Sequence, residues 1–94
     1  MPNCKTGYQS IIVESFKPKS TAGRHGAVHI RAVAGQGFSQ DLFVECNKSL
    51  SRDYDPGTRF RICAKLSQRE DGAEYIYSYF GWKAEVVSKP SKST

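Results

Sequence analysis

The chain of 94 residues has few cysteines, and their pattern excludes several protein classes. Cys4, Cys46 and Cys63 are odd in number, widely spaced and without a Cys-x-x-Cys motif. This pattern argues against a disulfide-stapled secreted domain and favours a reducing compartment. Cys46 and Cys63 lie in strand-like segments, where a free cysteine behaves as a small apolar residue. We therefore predict a cytoplasmic location and unpaired cysteines.

Long apolar runs are also missing from the sequence. No stretch approaches the roughly 20 apolar residues that a membrane-spanning helix requires. The first ten residues are largely polar, which predicts no signal peptide. We therefore expect no association with a membrane.

The sequence contains no recognisable catalytic or metal-binding motif. There is no Gly-x-Ser-x-Gly, no phosphate-cradling glycine loop and no paired-carboxylate motif, and Gly35-Gln36-Gly37 is typical of a turn. His25 and His29 are four residues apart, a zinc-binding spacing only on a helix, and the surrounding pattern predicts a strand. We predict a protein that is not an enzyme and needs no metal or other cofactor.

Positive charge is in modest excess. Fourteen Lys and Arg residues against nine Asp and Glu residues give a net charge of +5, which favours anionic partners by long-range attraction. The length predicts one small domain, residues 1–87. The Ser, Lys and Pro residues of 88–94 predict a disordered basic tail.

Alternating apolar and polar residues predict a mainly β protein. Asp71-Gly72 is a strong signal for a hairpin turn, and Asn47 is suited to cap a short helical turn in residues 47–54. Five strands are predicted, at residues 8–16, 27–34, 38–46, 58–66 and 74–82, the last continuing or bending through residues 83–87.

The order of three strands, a short helical connector and two strands resembles the OB-fold, a five-stranded partly open barrel. The resemblance covers about residues 8–87 and is one of topology. Because the connector is short, an SH3-like barrel is the alternative. The OB resemblance implies a binding face on the middle strands, flanked by the first and last hairpin loops, for oligonucleotides, oligosaccharides or another protein.

The hairpin of 58–66 and 74–82 predicts a two-sided surface. In its first strand, alternation places Phe60, Ile62, Ala64 and Leu66 in the core and the intervening cations outside. The second strand permits two parities. We favour the parity in which Ile76, Ser78 and Phe80 point inward and Tyr75, Tyr77 and Tyr79 point outward. Burial of Ile76 and Phe80 leaves no hydroxyl group without a hydrogen-bond partner, unlike burial of the tyrosines.

This choice places tyrosines beside cations on one outer surface. Cations bind phosphates, and aromatic rings stack on unpaired bases for roughly 1–3 kcal/mol each. We predict a non-catalytic module that binds single-stranded DNA or RNA; the alternatives are a protein interface, including a homo-oligomer or a subunit of an assembly, and plain solvated surface. The candidate residues are Arg31, Arg59, Arg61, Lys65, Tyr75, Tyr77 and Tyr79, with Lys17, Lys19 and Arg24 from the loop 17–26.

Overall fold

The structure is a computed structural model that describes residues 4–17 and 28–90. Within those ranges the chain forms six strands and one short helix. In chain order these are β1 (Gln9–Phe16), β2 (His29–Ala32), β3 (Val44–Glu45), α1 (Ser49–Arg52), β4 (Arg59–Gln68), β5 (Glu74–Tyr77) and β6 (Glu85–Ser88).

The strands form one sheet that is nearly closed into a barrel. Strand β1 lies between β2 and β4, and both pairings are antiparallel. Strand β4 continues antiparallel to β5, and β5 pairs in parallel with β3. Backbone pairing thus follows the order β2-β1-β4-β5-β3, with β6 added to the first half of β4. The prediction of a mainly β small barrel with a helical connector before the fourth strand is confirmed. The sheet has six strands instead of the predicted five, because the chain after β5 forms the separate strand β6.

The β4–β5 hairpin forms around the predicted turn. The N–H of Arg69 donates to the carbonyl of Ala73 at 2.8 Å, and the carboxylate of Asp71 accepts from the N–H of Ala73 at 2.9 Å. Gly72 has φ +90°, a conformation that residues with a Cβ rarely adopt. Asp71 and Gly72 therefore fix the turn and, with it, the register of the two strands.

The core is made by alternate residues of the strands, as the pattern predicts. Phe60 and Ala64 are fully buried, whereas Leu66 is 46% exposed, so its predicted place in the core is wrong. Leu66 has the inward parity, but β4 there runs past the core towards the hairpin turn. The buried apolar residues are Ile11, Val13, Ala32, Val44, Leu50, Phe60, Ile62, Ala64 and Ile76.

The predicted strand 74–82 ends early, at Tyr77. The buried Ser78 hydroxyl donates to the carbonyl of Cys63 at 2.7 Å, and the Ser78 N–H donates to the carbonyl of Glu45 at 2.8 Å. The chain then turns outward and returns as β6 against β4. Phe80, predicted to be in the core, lies in this excursion and is 66% exposed. Its inward assignment is wrong because alternation stops where the strand stops.

The predicted third strand, 38–46, is reduced to β3. Ser39 starts a turn in which its carbonyl accepts from the N–H of Leu42 and its hydroxyl oxygen accepts from the N–H of Asp41. Phe38 and Leu42 still pack against the core, although both lie in a loop and not in a strand. In the connector that follows, the side-chain oxygen of Asn47 accepts from the N–H of Ser49 at 2.9 Å, but the N-cap position of α1 is occupied by Lys48, one residue later than predicted.

Cys4 and Cys63 form a disulfide bond, which the sequence interpretation did not anticipate. The prediction that Cys63 is a free, small apolar residue is wrong. Cys63 points outward from β4, where Cys4 of the N-terminal segment reaches it. Cys46 is the free cysteine of the described residues.

The described chain continues past the predicted end of the domain. Ser88 is the last residue of β6, and the Pro90 ring packs against Gly57. Residues 91–94 of the predicted tail lie outside the described residues. Residues 4–17 and 28–90 contain no helix that is long and apolar enough to cross a membrane.

Candidate nucleic-acid interface

The outer surface of β5 carries the tyrosines chosen from the sequence. Ile76 is fully buried and Ser78 is 4% exposed, so the favoured parity is confirmed for this part of the strand. Tyr75 and Tyr77 are half-buried on the outer side, and Tyr79, beyond the strand end, is 42% exposed.

Tyr77 belongs to a continuous group of rings. The ring of Tyr8 lies 4.9 Å from that of Trp82 and 6.5 Å from that of Tyr77, measured between centroids. Tyr79 continues the group at 5.6 Å from Trp82 and 4.9 Å from Phe80. We refer to Tyr8, Tyr77, Tyr79, Phe80 and Trp82, together with Lys65, as the aromatic face.

Lys65 is the cation of the aromatic face. It is the cross-strand partner of Tyr77, and its Nζ lies 5.0 Å from the centroid of the Tyr8 ring. A cation at this distance from a ring is attracted by about 0.5–1 kcal/mol at an exposed site. Lys65 thereby lies over the Tyr8 ring, and its side chain is exposed to solvent.

A second cation–ring group adjoins the aromatic face through β5. The guanidinium carbon of Arg69 lies 4.8 Å from the ring centroid of Tyr75 and 5.3 Å from that of Phe43. Phe43 is 57% exposed. We call Phe43, Arg69 and Tyr75 the Arg69 stack; because Tyr75 and Tyr77 share one side of β5, the stack and the aromatic face form one surface.

This surface carries two cations, Lys65 and Arg69. Neither Lys65 nor Arg69 forms an ion pair with any carboxylate in residues 4–17 and 28–90. Glu45 opposes Tyr77 in the parallel β3–β5 pairing and is exposed. The surface therefore carries two unpaired cations, with Glu45 opposite Tyr77 and with Glu70 and Asp71 next to Arg69 in the chain.

The arginines predicted for the site lie in a different environment. Arg31 and Arg59 both contact the carboxylate of Glu14, at 3.3 and 3.2 Å, and Arg61 contacts Glu85 at 2.7 Å. These pairs partly neutralise the arginines. Arg31 also lies 4.3 Å above the ring of Phe16, on the β2–β1 side of the barrel. The structure therefore brings Lys65, Tyr75, Tyr77 and Tyr79 together, whereas these three arginines are paired with carboxylates.

The basic loop is described only at its start. Lys17 is exposed, whereas Lys19 and Arg24 lie outside the described residues. The predicted role of the loop stays a prediction.

A groove of about 480 Å³ lies at the seam between β2 and β3. Its apolar lining includes Ile30, Phe43 and Val44, and Lys48 lies at its side. Cys46 also lines it, and burial, with a smaller contribution from Glu45, raises the pKa of its thiol to about 11. In the part of the chain that is described, no group of three His, Cys, Asp or Glu residues is placed to hold a metal ion.

Sequence reasoning missed several residues of this surface. Tyr8 has the outward parity of Ser10 and Ile12, so extending the alternation of β1 by one step identifies it. Trp82 and Phe80 lie in the turn after β5, where strand alternation gives no information. Arg69 is followed by the acidic residues Glu70 and Asp71, so the sequence gives no signal for a cationic site there.

Comparisons with known proteins found no relative of this chain. No protein-family model, curated protein or solved structure matches the chain.

Proposed function

We propose that the protein is a non-catalytic module that binds single-stranded DNA or RNA on the aromatic face and the Arg69 stack. The observation that carries the proposal is a continuous outer surface of partly exposed rings that holds two cations without carboxylate partners. Bases stack on such rings irrespective of sequence, and cations above the rings bind the phosphates.

The structure also supports a specific salt dependence. With Lys65 and Arg69 as the phosphate contacts, two counterions are released per bound strand. For a single strand this corresponds to a slope of about −1.4 in a plot of log K against log salt concentration. Base stacking on the rings then supplies most of the affinity, so binding persists at salt concentrations that dissociate a purely electrostatic complex.

The test is fluorescence anisotropy with labelled oligothymidylate and oligouridylate of about 16 nucleotides, a length that spans one such site. We expect Tyr77→Ala to weaken binding roughly 5- to 150-fold, the equivalent of one lost stack of 1–3 kcal/mol. Tyr77→Phe keeps the ring and is expected to bind like the wild type. Absence of binding by the wild-type protein at low salt would rule out the proposal.

A charge comparison tests the position of the site. Lys65→Ala is expected to reduce the magnitude of the salt slope by about 0.7, because one phosphate contact is lost. Lys89→Ala removes an exposed cation next to β6 and is expected to leave the slope unchanged. Equal effects of the two substitutions would indicate non-specific attraction by net charge rather than a site at Lys65.

A protein interface is the second candidate, and strand β6 is the observation that favours it. Within the described chain β6 pairs with β4 alone, and Val86 and Val87 are exposed along it. Unpaired strand edges with apolar side chains recruit strands from partners or from a second copy. Sedimentation over a range of concentrations tests self-association, and a Val87→Lys variant is expected to abolish any dimer that forms through this edge.

The cytoplasm stays the proposed location, with a consequence for the disulfide. Disulfides in cytosolic proteins are usually transient, catalytic or redox-sensing, because thiol reductants keep cysteines reduced. Cys4–Cys63 is then expected to exist in both redox states in the cell. A stable disulfide in protein isolated under thiol-trapping conditions would favour an oxidising compartment instead.

A further inference from the structure

Cys4–Cys63 lies at the edge of the aromatic face. Cys63 and Lys65 share the outer side of β4, and Lys65 is paired with Tyr77. Cys4 lies four residues before Tyr8, whose ring contacts Trp82 and Tyr77. The disulfide therefore ties the segment that leads into Tyr8 to the strand beneath the aromatic face.

Within the described part of the chain, few other interactions hold residues 4–7 in place. The N–H of Tyr8 donates to the carbonyl of Lys5 at 2.9 Å and closes a turn in which Gly7 has φ +89°. Lys5, Thr6 and Gly7 are exposed, and they form no ion pair with the described part of the chain. Strand pairing begins only at Gln9, opposite Ala64. Tyr8 is thus fixed on one side by the barrel and on the other by the disulfide.

We propose that the Cys4–Cys63 disulfide is a redox gate on the aromatic face: the oxidised form holds Tyr8 on Trp82 and Tyr77, and reduction releases it and weakens nucleic-acid binding. The effect on binding rests on the proposed function, whereas the movement of Tyr8 does not. The inference follows from the position of the bond, because the disulfide is the covalent link that holds residues 4–8 against β4.

The chemistry requires a dithiol reductant. One of its thiolates attacks a sulfur of the Cys4–Cys63 bond, which breaks and leaves a mixed disulfide and one cysteine thiolate. The second thiol of the reductant displaces the other cysteine. The products are two cysteine thiols and the reductant's own disulfide, a transfer of two electrons and two protons. Both cysteines are partly exposed, and the protonated Cys46 does not compete as a nucleophile.

Trp82 is the single tryptophan and lies against Tyr8, so its fluorescence reports the gate without a nucleic acid. We expect dithiothreitol to change the Trp82 emission of the wild-type protein. A Tyr8→Ala variant, which keeps the disulfide, is expected to have a much smaller change. A Cys4→Ala/Cys63→Ala variant is expected to have the emission of the reduced wild type, with and without dithiothreitol.

Binding of oligothymidylate is then measured for the same proteins. We expect reduction to weaken wild-type binding at least about fivefold, the loss of one stacking ring. Oxidised Tyr8→Ala is expected to bind as weakly as the reduced wild type, with no further effect of reduction. Far-ultraviolet circular dichroism is recorded in parallel to verify that the reduced barrel stays folded.

Three results would overturn the gate. Unchanged Trp82 emission on reduction would mean that Tyr8 stays in place. Loss of the circular dichroism signal would mean that the bond is a staple of the whole barrel. If reduction weakened nucleic-acid binding by Tyr8→Ala as much as by the wild type, a group other than Tyr8 would mediate the effect of the disulfide on binding. If the oxidised wild type binds no nucleic acid but its Trp82 emission responds as expected, the proposed function fails and the gate on Tyr8 stands.

Discussion

Cys46 illustrates how position alters the chemistry of one residue. It lines the groove between β2 and β3, and burial, with Glu45 beside it, raises the pKa of its thiol to about 11. The thiolate is the reactive form of cysteine. Cys46 is therefore a poor nucleophile at neutral pH, although no disulfide protects it.

Alkylation by iodoacetamide measures this shift. At pH 8 we expect Cys46 in the folded protein to react roughly 200-fold more slowly than in the unfolded chain, where the pKa is about 8.5. The rate is expected to rise with pH until about 11. A rate that levels off near pH 8.5 would contradict the assigned surroundings of Cys46.

The same shift makes stability depend on pH. A thiol whose pKa is raised by folding contributes stability below its unfolded pKa and loses it as pH rises through the folded value. The contribution of Cys46 is thus complete below about pH 8.5 and declines between there and about pH 11. Comparison with Cys46→Ala separates this decline from the titration of other groups.

At the scale of elements, the turn between β5 and β6 positions the exposed rings. The N–H of Trp82 donates to the carbonyl of Tyr79 at 3.2 Å, and the Tyr79 ring folds over Gly81. A Cβ on Gly81 would lie 2.5 Å from Cε2 of Tyr79. The absence of a side chain at Gly81 is therefore what allows the Tyr79 ring to lie beside Trp82.

Replacing Gly81 by alanine tests this arrangement. We expect the exposed Tyr79 ring to swing away at little cost, with a change in unfolding free energy below about 1 kcal/mol and a several-fold loss of nucleic-acid affinity. Gly37→Ala is the matched control, since Gly37 has φ +90° and open space around it. That variant is expected to lose about 1–2 kcal/mol of stability while binding normally. Equal effects of the two variants on affinity would contradict a specific role of Gly81.

Local pattern accounts for the elements that were predicted correctly from the sequence. The β4–β5 hairpin has regular alternation and a turn pair that fixes its register, and β1 alternates between buried and more exposed residues from Ser10 to Phe16. The end of β5 was not predictable, because it depends on Ser78 bonding to Cys63 and Glu45 from other strands. The Cys4–Cys63 pair likewise depends on a fold that brings residues 59 positions apart together. Alternation predicted the site residues Lys65, Tyr75 and Tyr77 on the strands and Tyr79 just beyond β5. Tyr8, Arg69 and Trp82 lie outside the strands and were missed.

For the whole molecule, the partly closed sheet distributes stability unevenly. Strand β1 is paired on both sides, and β4 pairs with three strands, β1, β5 and β6. In contrast, β3 has two residues, and every residue of β6 is exposed. No backbone pairing joins β2 to β3 within residues 4–17 and 28–90. The seam and β6 are therefore expected to open before the centre of the sheet.

Hydrogen exchange of the native protein measures this difference. Amides of β1 and of the first half of β4 are expected to exchange slowest, through global unfolding. Amides of β3 and β6 are expected to exchange faster, through local opening. Protection of Val87 that equals that of Phe60 would contradict an open edge at β6 and would favour a second copy paired along it.

The central pairing of β1 with β4 has a consequence for how the chain acquires its structure. Glu14 and Arg59, partners in that ladder, are 45 residues apart in sequence. A β1–β2 hairpin emerging from the ribosome must therefore wait for most of the chain before its other edge is covered. Loop closure over such a distance is costly, and β-rich domains with these contacts fold in about milliseconds to seconds. Synthesis thus leaves Ile11 and Val13, which are almost completely buried in the finished barrel, among the apolar side chains that stay uncovered longest.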